Sequence, residues 1–273
     1  MCSRVRAGGQ LALALQPVIL ITGHELSATI ESMKNALISG GAGGLGKSIA
    51  LDLLDSGYRV LAADLSNAEE NFDSWKSTLN GDKDQIQFVV LDVTDYKNCV
   101  AAADRIDVDV LVNAAGVTQD ISLRKMDPQQ WRKVLSVNLD GAFHLCRATI
   151  NGMIERGFGR IINISSVNGL QGQFGQTNYA ASKAGLHGLT MSLARETAAK
   201  GITVNSISPG YCDTEMVAAI PPEHLQQITA QIPVGRLADP QEIARVVSFL
   251  AADESAYITG ANIPVTGGFW MGF

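Results

Sequence analysis

The chain has 273 residues, of which 46 % are hydrophobic, so it is long enough for one large α/β domain with a sizeable core. Its formal net charge is −6 and no basic block stands out, which argues against nucleic acid as a partner. The cysteines and histidines show neither a CxxC pair nor metal-ligand spacing, which favours reduced thiols and argues against a metal site. They are Cys2, Cys99, Cys146 and Cys212, and His24, His144, His187 and His224.

The first 32 residues differ from the rest of the chain. Arg4 and Arg6 precede an apolar run, Leu11–Ile21, that is shorter than the about 20 residues needed to cross a bilayer. The run is similar to a secretory signal peptide, so export is one interpretation. Because Met33 stands directly before the first predicted strand, we favour a flexible leader or a mis-assigned start over residues 1–32, and a folded domain over residues 33–273. We expect no membrane partner.

Short β-branched apolar runs alternate with longer helical stretches from Lys34 onward. The predicted strands are Asn35–Ser39, Tyr58–Ala63, Ile86–Leu91, Val108–Asn113, Arg160–Ser165, Ile202–Ile207 and Ile263–Val265. The predicted helices are Gly46–Ser56, Phe72–Leu79, Tyr96–Arg105, a long helix opened by Pro128, Thr177–Lys200 and Gln241–Ala252. This order predicts a single Rossmann-type α/β domain, in which helices cover both faces of a doubly wound parallel sheet.

One long segment without a clear period, Asp213–Pro233, follows a strand end and is rich in alanine, proline and glutamine. We expect a mobile lid over a substrate there. The alternative is an ordinary helical excursion.

A glycine-rich loop, Ser39–Gly46 (SGGAGGLG), joins the first predicted strand to the first predicted helix. Glycine lets the backbone turn sharply and approach a ligand, and the helix behind it directs free N–H groups at phosphates. A loop in this context predicts a dinucleotide site. The residues predicted to contact the cofactor here are Gly40, Gly44, Leu45 and Gly46.

Polar residues end the next strands. Asp64 is placed to accept hydrogen bonds from both adenosine ribose hydroxyls and to repel a 2′-phosphate, so NAD(H) is favoured and NADP(H) is the alternative. Further along, Asp92 and Val93 are candidates for the adenine edge, and the segment Asn113–Gly116 for the nicotinamide ribose. From the last segment we single out Asn113 and Gly116 as cofactor contacts.

Tyr179 and Lys183 are four residues apart, which places them on one face of a helix. A phenol is a poor acid–base catalyst at neutral pH, and a nearby ammonium is expected to lower its pKa. Ser166 ends the fifth predicted strand, where its hydroxyl could stabilise a developing alkoxide. Asn138 is the candidate anchor for a water that leads to Lys183. Tyr179 and Lys183 are also candidate cofactor contacts.

From Lys34 to the C-terminus the chain resembles short-chain dehydrogenase/reductases. The matching residues are the glycine loop, the Asn113–Gly116 segment, Asn138, Ser166, Tyr179, Lys183 and the Pro209–Gly210 turn. The resemblance implies a catalytic tetrad of Ser166, Tyr179, Lys183 and Asn138, cofactor contacts at Pro209 and Gly210, a seven-stranded sheet in the order 3-2-1-4-5-6-7, and a homotetramer. Ser39 and Ala114 depart from the family pattern, and Met1–Ser32 has no counterpart in it.

The segment Asn163–Thr190 resembles more closely the acetoacetyl-CoA reductases of polyhydroxyalkanoate synthesis. That resemblance implies an acyl-CoA site at Asp120, Lys125, Gln173, Gln176 and Tyr211. Phe174 is the candidate for packing on a short acyl chain. The alternative for the turn at Gln173–Gln176 is that backbone geometry alone sets its composition.

The expected reaction is therefore reduction of acetoacetyl-CoA to (R)-3-hydroxybutyryl-CoA, a polyhydroxybutyrate precursor, with hydride delivered to C3 and a proton from Tyr179. A cytoplasmic location is expected, because the enzyme needs the cytosolic dinucleotide pool. One alternative is a 3-oxoacyl-[acyl-carrier-protein] reductase, for which Arg124, Lys125 and Arg132 could form a docking patch. A non-catalytic dinucleotide sensor is the alternative from another class.

Overall fold

A computed structural model describes residues 33–79 and 83–272. Seven parallel strands form one sheet in the order β3-β2-β1-β4-β5-β6-β7, which confirms the order that the resemblance implied. The strands are β1 (Asn35–Ser39), β2 (Arg59–Asp64), β3 (Ile86–Val90), β4 (Val108–Asn113), β5 (Gly159–Ile164), β6 (Ile202–Pro209) and β7 (Asn262–Val265). The leader predicted over residues 1–32 lies outside the described residues.

Ten α-helices occur in the described ranges. They are α1 (Gly44–Asp55), α2 (Glu69–Ser77), α3 (Tyr96–Ala103), α4 (Pro128–Leu135), α5 (Gly141–Arg156), α6 (Asn168–Gln171), α7 (Thr177–Thr197), α8 (Glu215–Ala218), α9 (Pro222–Thr229) and α10 (Pro240–Ala251). None of the helices in these ranges is long and apolar enough to cross a membrane.

The sheet separates two apolar cores, because neighbouring side chains on a strand point to opposite faces. On β1, Ile38 packs on the face covered by α1 and α10, together with Ile49 and Val247. Its neighbour Leu37 packs on the other face with Leu145 of α5. The all-buried strands β5 and β6 are typical of a parallel sheet with helices on both sides. The predicted doubly wound α/β fold is confirmed.

Local signals explain where several helices begin. At the start of α4, Asp127 and Gln130 cap each other: each side chain accepts a hydrogen bond from the backbone N–H of the other residue. Pro128 occupies the first turn of the helix. The same reciprocal cap joins Asp239 and Glu242 at α10. These caps satisfy amide groups that a helix start would otherwise leave unpaired.

Three elements differ from the sequence-based expectation. The long helix predicted from Pro128 is divided by a π-helical turn at Ser136–Asp140, which carries Asn138. The predicted irregular segment Asp213–Pro233 contains α8 and α9, so the helical alternative holds for much of it. The short helix α6 was not predicted, because a single turn of four residues has no helical period to detect.

The functional crevice follows from the strand order. β1 pairs with β2 on one side and with β4 on the other. The connection after β1 leads toward β2 and the connection after β4 leads toward β5, so the two leave neighbouring carboxyl ends in opposite directions. Open α/β sheets bind ligands at such a switch point. Ser39 closes the base of the crevice, since its hydroxyl oxygen accepts from the backbone N–H groups of Ala114 at 3.2 Å and Ala115 at 3.3 Å.

Candidate active site

A cleft of about 490 Å³ opens at the carboxyl ends of β1 to β6. Most of the residues that the sequence predicted for the cofactor and the reaction line it. They are Gly40, Gly44, Leu45, Gly46, Asp64, Asp92, Val93, Gly116, Asp120, Ser166, Gln176, Tyr179, Lys183, Pro209, Gly210 and Tyr211. The cleft therefore joins the predicted cofactor half to the predicted substrate half.

The glycine loop lies too close to its neighbours for side chains. Gly40 has a φ of +70°, and a Cβ there would be 2.9 Å from the backbone of Ala115. A Cβ on Gly46 would overlap the carbonyl oxygen of Gly40. Helix α1 starts at Gly44, and its first residues line the cleft. The free N–H groups of a helix start are suited to a pyrophosphate. The residues present fit a dinucleotide.

The backbone holds the Asp64 carboxylate in place. Its two oxygens accept from the N–H of Ala42 at 3.1 Å and from the N–H of Leu65 at 2.9 Å. The carboxylate is thus oriented at the end of β2, beside the glycine loop. This is the position from which an acid meets the adenosine ribose.

Asp92 and Val93 continue the cofactor half of the cleft. Asp92 accepts from both the N–H and the hydroxyl of Thr94, at 2.9 and 2.7 Å. The carbonyl oxygen of Val93 is 2.8 Å from Nδ1 of His144 on α5, and a Cβ on Gly141 would collide with the Val93 side chain. These contacts fix the loop after β3 against α5.

The side chain of Asn113 faces away from the cleft. Its Nδ2 donates to Oδ1 of Asn163 at 2.8 Å and to Sγ of Cys146 at 3.5 Å, and the residue is 4 % exposed. The backbone that follows, Ala114–Gly116, lines the cleft instead. Asn113 therefore ties β4 to β5, and the small residues after it make room for a ligand.

Helix α7 carries Tyr179 and Lys183 into the same cleft, with Lys183 Nζ 5.7 Å from the centre of the Tyr179 ring. Burial raises the pKa of Tyr179 to about 12, partly offset by a side-chain hydrogen bond with Ser166. Burial lowers the pKa of Lys183 to about 8. The pKa of Tyr179 is thus raised, not lowered as the spacing alone had led us to expect, because desolvation dominates in this structure.

Asn138 connects the π-helical turn to the catalytic helix. Its carboxamide pairs with the backbone of Val117, accepting from the N–H at 2.8 Å and donating to the carbonyl at 3.0 Å. It also donates to the Ser182 hydroxyl at 3.1 Å. A Cβ on Gly116 would lie 3.4 Å from Lys183 Nζ and 3.6 Å from Asn138 Oδ1, so the two side chains flank the same backbone. Extra residues in a π turn often occur at functional sites.

The predicted substrate residues fall into two groups. Asp120, Gln176 and Tyr211 line the cleft. Lys125, Gln173 and Phe174 are exposed and do not line it, and Phe174 is 91 % exposed. The structure therefore brings together one half of this set and leaves the other half outside the cleft.

Several cleft residues were not predicted individually. Asn168 begins α6 directly beside Ser166, and Cys212 follows Tyr211. The segment after β6 adds Thr214, Glu215, Met216, Val217 and Ile220. The segment thus lines the cleft, its mobility stays a prediction, and its location after a strand end was the signal in the sequence.

Comparison with known proteins agrees with this geometry. The family described as enoyl-(acyl carrier protein) reductase matches residues 40–270, which include the glycines of the loop together with Ser166, Tyr179 and Lys183. The chain belongs to the short-chain dehydrogenase/reductase family. This confirms the family prediction. As a short-chain dehydrogenase/reductase the protein is an oxidoreductase of a family that uses NAD(H) or NADP(H).

Similar curated proteins include acetoacetyl-CoA reductases. That of Allochromatium vinosum is 46 % identical over 86 % of this chain and 98 % of its own length. That of Rhizobium meliloti is 47 % identical over 85 % of this chain and 97 % of its own length. A 3-oxoacyl-[acyl-carrier-protein] reductase of Pseudomonas aeruginosa is 42 % identical over 87 % of this chain and 98 % of its own length.

Proposed function

We propose that this short-chain dehydrogenase/reductase reduces acetoacetyl-CoA to (R)-3-hydroxybutyryl-CoA, a precursor of polyhydroxybutyrate. The observation that carries the proposal is that Ser166, Tyr179 and Lys183 share one cleft with the polar substrate-side residues Gln176 and Tyr211. The similarity to acetoacetyl-CoA reductases over nearly their whole length supports the choice of substrate.

The residues of the cleft divide the chemistry between them. When bound, NAD(P)H supplies the hydride that C3 of the substrate receives. Because its pKa is about 12, Tyr179 stays a protonated phenol at pH 7 and well above it. It gives this proton to the former carbonyl oxygen. Ser166 holds that oxygen by a hydrogen bond while charge develops on it. Lys183 is a cation below a pH of about 8 and stabilises the phenolate that remains.

NAD(H) is the favoured cofactor, and NADP(H) is the alternative. Both oxygens of Asp64 are oriented at the end of β2, where a 2′-phosphate would meet a like charge. Among the described residues that line the cleft, Lys183 is the single lysine or arginine, and it belongs to the catalytic half. A 2′-phosphate thus has no cationic partner in the cofactor half of that lining.

Two further properties stay proposals: a homotetramer, which the family resemblance implies, and a cytoplasmic location, which follows from the need for the cytosolic dinucleotide pool. Light scattering with size-exclusion chromatography would report the oligomer directly. A mass near four times 29.0 kDa is expected for residues 1–273, and a monomer would contradict it.

The second candidate is a 3-oxoacyl-[acyl-carrier-protein] reductase, favoured by the similarity to the Pseudomonas aeruginosa protein. Arg124 and Lys125 are exposed on a turn outside the cleft, where they could meet either an acidic carrier protein or the phosphates of CoA. The sensor alternative is disfavoured, because a protein that merely binds a dinucleotide has no use for a Tyr179–Lys183 pair in its cleft.

The deciding experiment measures initial rates with acetoacetyl-CoA and acetoacetyl-[acyl-carrier-protein], each with NADH and NADPH. A higher kcat/KM for acetoacetyl-CoA with NADH is expected. A clear preference for the carrier-protein thioester would replace the substrate proposal. Turnover with neither thioester, while cofactor still binds, would leave another carbonyl substrate or the sensor.

A further inference from the structure

The loop after β3, residues 92–95, carries two residues that line the cofactor half of the cleft, Asp92 and Val93. Most hydrogen bonds of this loop stay within it or lead to α3, the helix that follows. Asp92 accepts from the N–H of Thr94 at 2.9 Å, and the N–H of Asp92 donates to Oδ1 of Asn98 on α3 at 2.8 Å. The loop and α3 thus form one unit, whose position in the cleft depends on contacts with other elements.

His144 on α5 makes such a contact. Its Nδ1 lies 2.8 Å from the carbonyl oxygen of Val93, and its ring is partly buried. Among the described residues, this is the one hydrogen bond that joins residues 92–95 to an element other than α3. A carbonyl oxygen accepts and does not donate, so Nδ1 of His144 must carry the proton. The neutral ring is therefore held as the Nδ1–H tautomer.

The helix α5 also packs closely on the side chain of Val93. Gly141 lies three residues before His144, so both are on one face of the helix. A Cβ on Gly141 would be 2.7 Å from Cγ2 of Val93. The His144 ring is flanked by Tyr96, the first residue of α3, with ring centres 5.6 Å apart, and by Phe143 at 5.8 Å. One face of α5 thus contacts both the loop and the start of α3.

We propose that His144 is a positioning residue for the adenosine half of the cofactor, because its Nδ1–H holds the loop with Asp92 and Val93 in the cleft. The inference rests on the proposed function for the dinucleotide and for its adenine beside these two residues. Within the described part of the chain, His144 is not one of the residues that line the cleft, so it acts through the loop and not by contact with the ligand.

This role predicts an effect on one half of the cofactor. Loss of the hydrogen bond should weaken ligands that contain adenosine and spare ligands that lack it, since the residues predicted for the nicotinamide half lie on other elements. A single hydrogen bond corresponds to about five- to tenfold in a dissociation constant.

Calorimetric titration of the full chain tests the proposal, with direct binding or competition against NADH. The probes are NADH, ADP-ribose, which lacks the nicotinamide, and reduced nicotinamide mononucleotide, which lacks the adenosine. His144→Leu should weaken NADH and ADP-ribose by about five- to tenfold and the mononucleotide by less than about twofold. Unchanged binding of NADH and ADP-ribose would overturn the proposal. An equal loss for all three probes would also overturn it, because that result means general damage to the cleft.

His144→Asn separates the hydrogen bond from the volume of the ring. The amide nitrogen of asparagine and Nδ1 of histidine are both bonded to Cγ, so this variant keeps a donor for Val93 and loses the ring contacts. Its affinity for ADP-ribose should stay within about twofold of wild type. A loss as large as that of His144→Leu would assign the effect to packing and contradict the proposal. Arg147→Gln changes an exposed residue of α5 and is the matched control, which should alter none of the three affinities.

A readout without cofactor keeps this inference separate from the proposed function. The chain has four histidines, so ¹⁵N-labelled histidine gives few ring signals, and His144→Asn assigns those of interest. The neutral His144 ring should be the Nδ1–H tautomer, and a proton on Nε2 would overturn the proposal even if His144→Leu does not fold. If wild type fails to reduce acetoacetyl-CoA, the proposed function fails, and the nucleotide affinities and the tautomer still decide the role of His144.

Discussion

Lys183 Nζ donates a hydrogen bond of 2.7 Å to the backbone carbonyl oxygen of Ile164. The bond ties the catalytic helix α7 to the last residue of β5, and Lys183 is 3 % exposed. Ser165 adds a second tie, because its hydroxyl donates to the carbonyl oxygen of Lys183 at 2.9 Å. The ammonium is therefore fixed between the strand that leads to Ser166 and the helix that carries Tyr179.

The buried position of Lys183 predicts a loss of activity on the alkaline side. Burial lowers its pKa to about 8, so the cation that stabilises the Tyr179 phenolate is present below that pH and disappears above it. A plot of kcat/KM against pH should fall with a midpoint near 8. Lys183→Arg keeps the charge, so its residual activity should lack that midpoint, and an unchanged profile in the variant would assign the fall to another group.

The same shift has a consequence for stability. The unfolded chain binds the Lys183 proton up to its ordinary pKa of 10.5, whereas the folded chain releases it near 8. The contribution of this residue to the free energy of unfolding should thus rise with pH between these values. Chemical denaturation of wild type and Lys183→Met at several pH values measures it, and a difference that does not vary with pH would contradict the shift.

Tyr179→Phe removes the proposed proton donor and keeps the ring. We expect kcat to fall by about 10²- to 10⁴-fold, the usual contribution of a positioned acid, while cofactor affinity changes little. Stopped-flow turnover and fluorescence titration with NADH measure the two quantities. Tyr58→Phe is a matched control, since Tyr58 donates to the carbonyl of Ala251 away from the cleft. Substantial turnover in Tyr179→Phe would remove this residue from the mechanism.

Asp64→Asn keeps the shape of the side chain and removes its charge. The ratio of kcat/KM with NADH to that with NADPH should fall by about tenfold or more, because a like-charge contact with the 2′-phosphate costs several kcal/mol. Asp92→Asn is the control, as it removes another carboxylate from the cleft and should leave the ratio unchanged. Equal effects of the two variants would mean that overall charge, and not Asp64, sets the preference.

Gly46→Ala tests the cradle of the glycine loop. Its Cβ would overlap the Gly40 carbonyl oxygen, so the loop must shift and cofactor affinity should fall by tenfold or more. Gly188→Ala on α7 meets open space, because among the described residues no atom beyond its own stretch of helix lies within 4 Å of the added Cβ. That control should gain about 0.5–1 kcal/mol in unfolding free energy, since glycine is unfavourable inside a helix. Calorimetric titration with NADH and thermal unfolding separate the two effects.

The sequence by itself determined the features that depend on neighbours along the chain. The period of apolar residues located the seven strands, and the spacing of Tyr179 and Lys183 placed both on one helix face. The glycine loop between a strand and a helix predicted a dinucleotide site. Each of these signals depends on residues that are close together in the sequence, so the sequence is enough to detect it.

The tertiary structure alone decided how distant residues meet. It turned the side chain of Asn113 toward Asn163 and Cys146, out of the cleft that its position at a strand end had suggested. It raised the pKa of Tyr179, because desolvation depends on everything packed around the ring. It also joined Asp120 to Asn168 through Gln176, across 48 residues of chain. Burial and hydrogen-bond direction depend on residues from all parts of the fold, so no local pattern in the sequence predicts them.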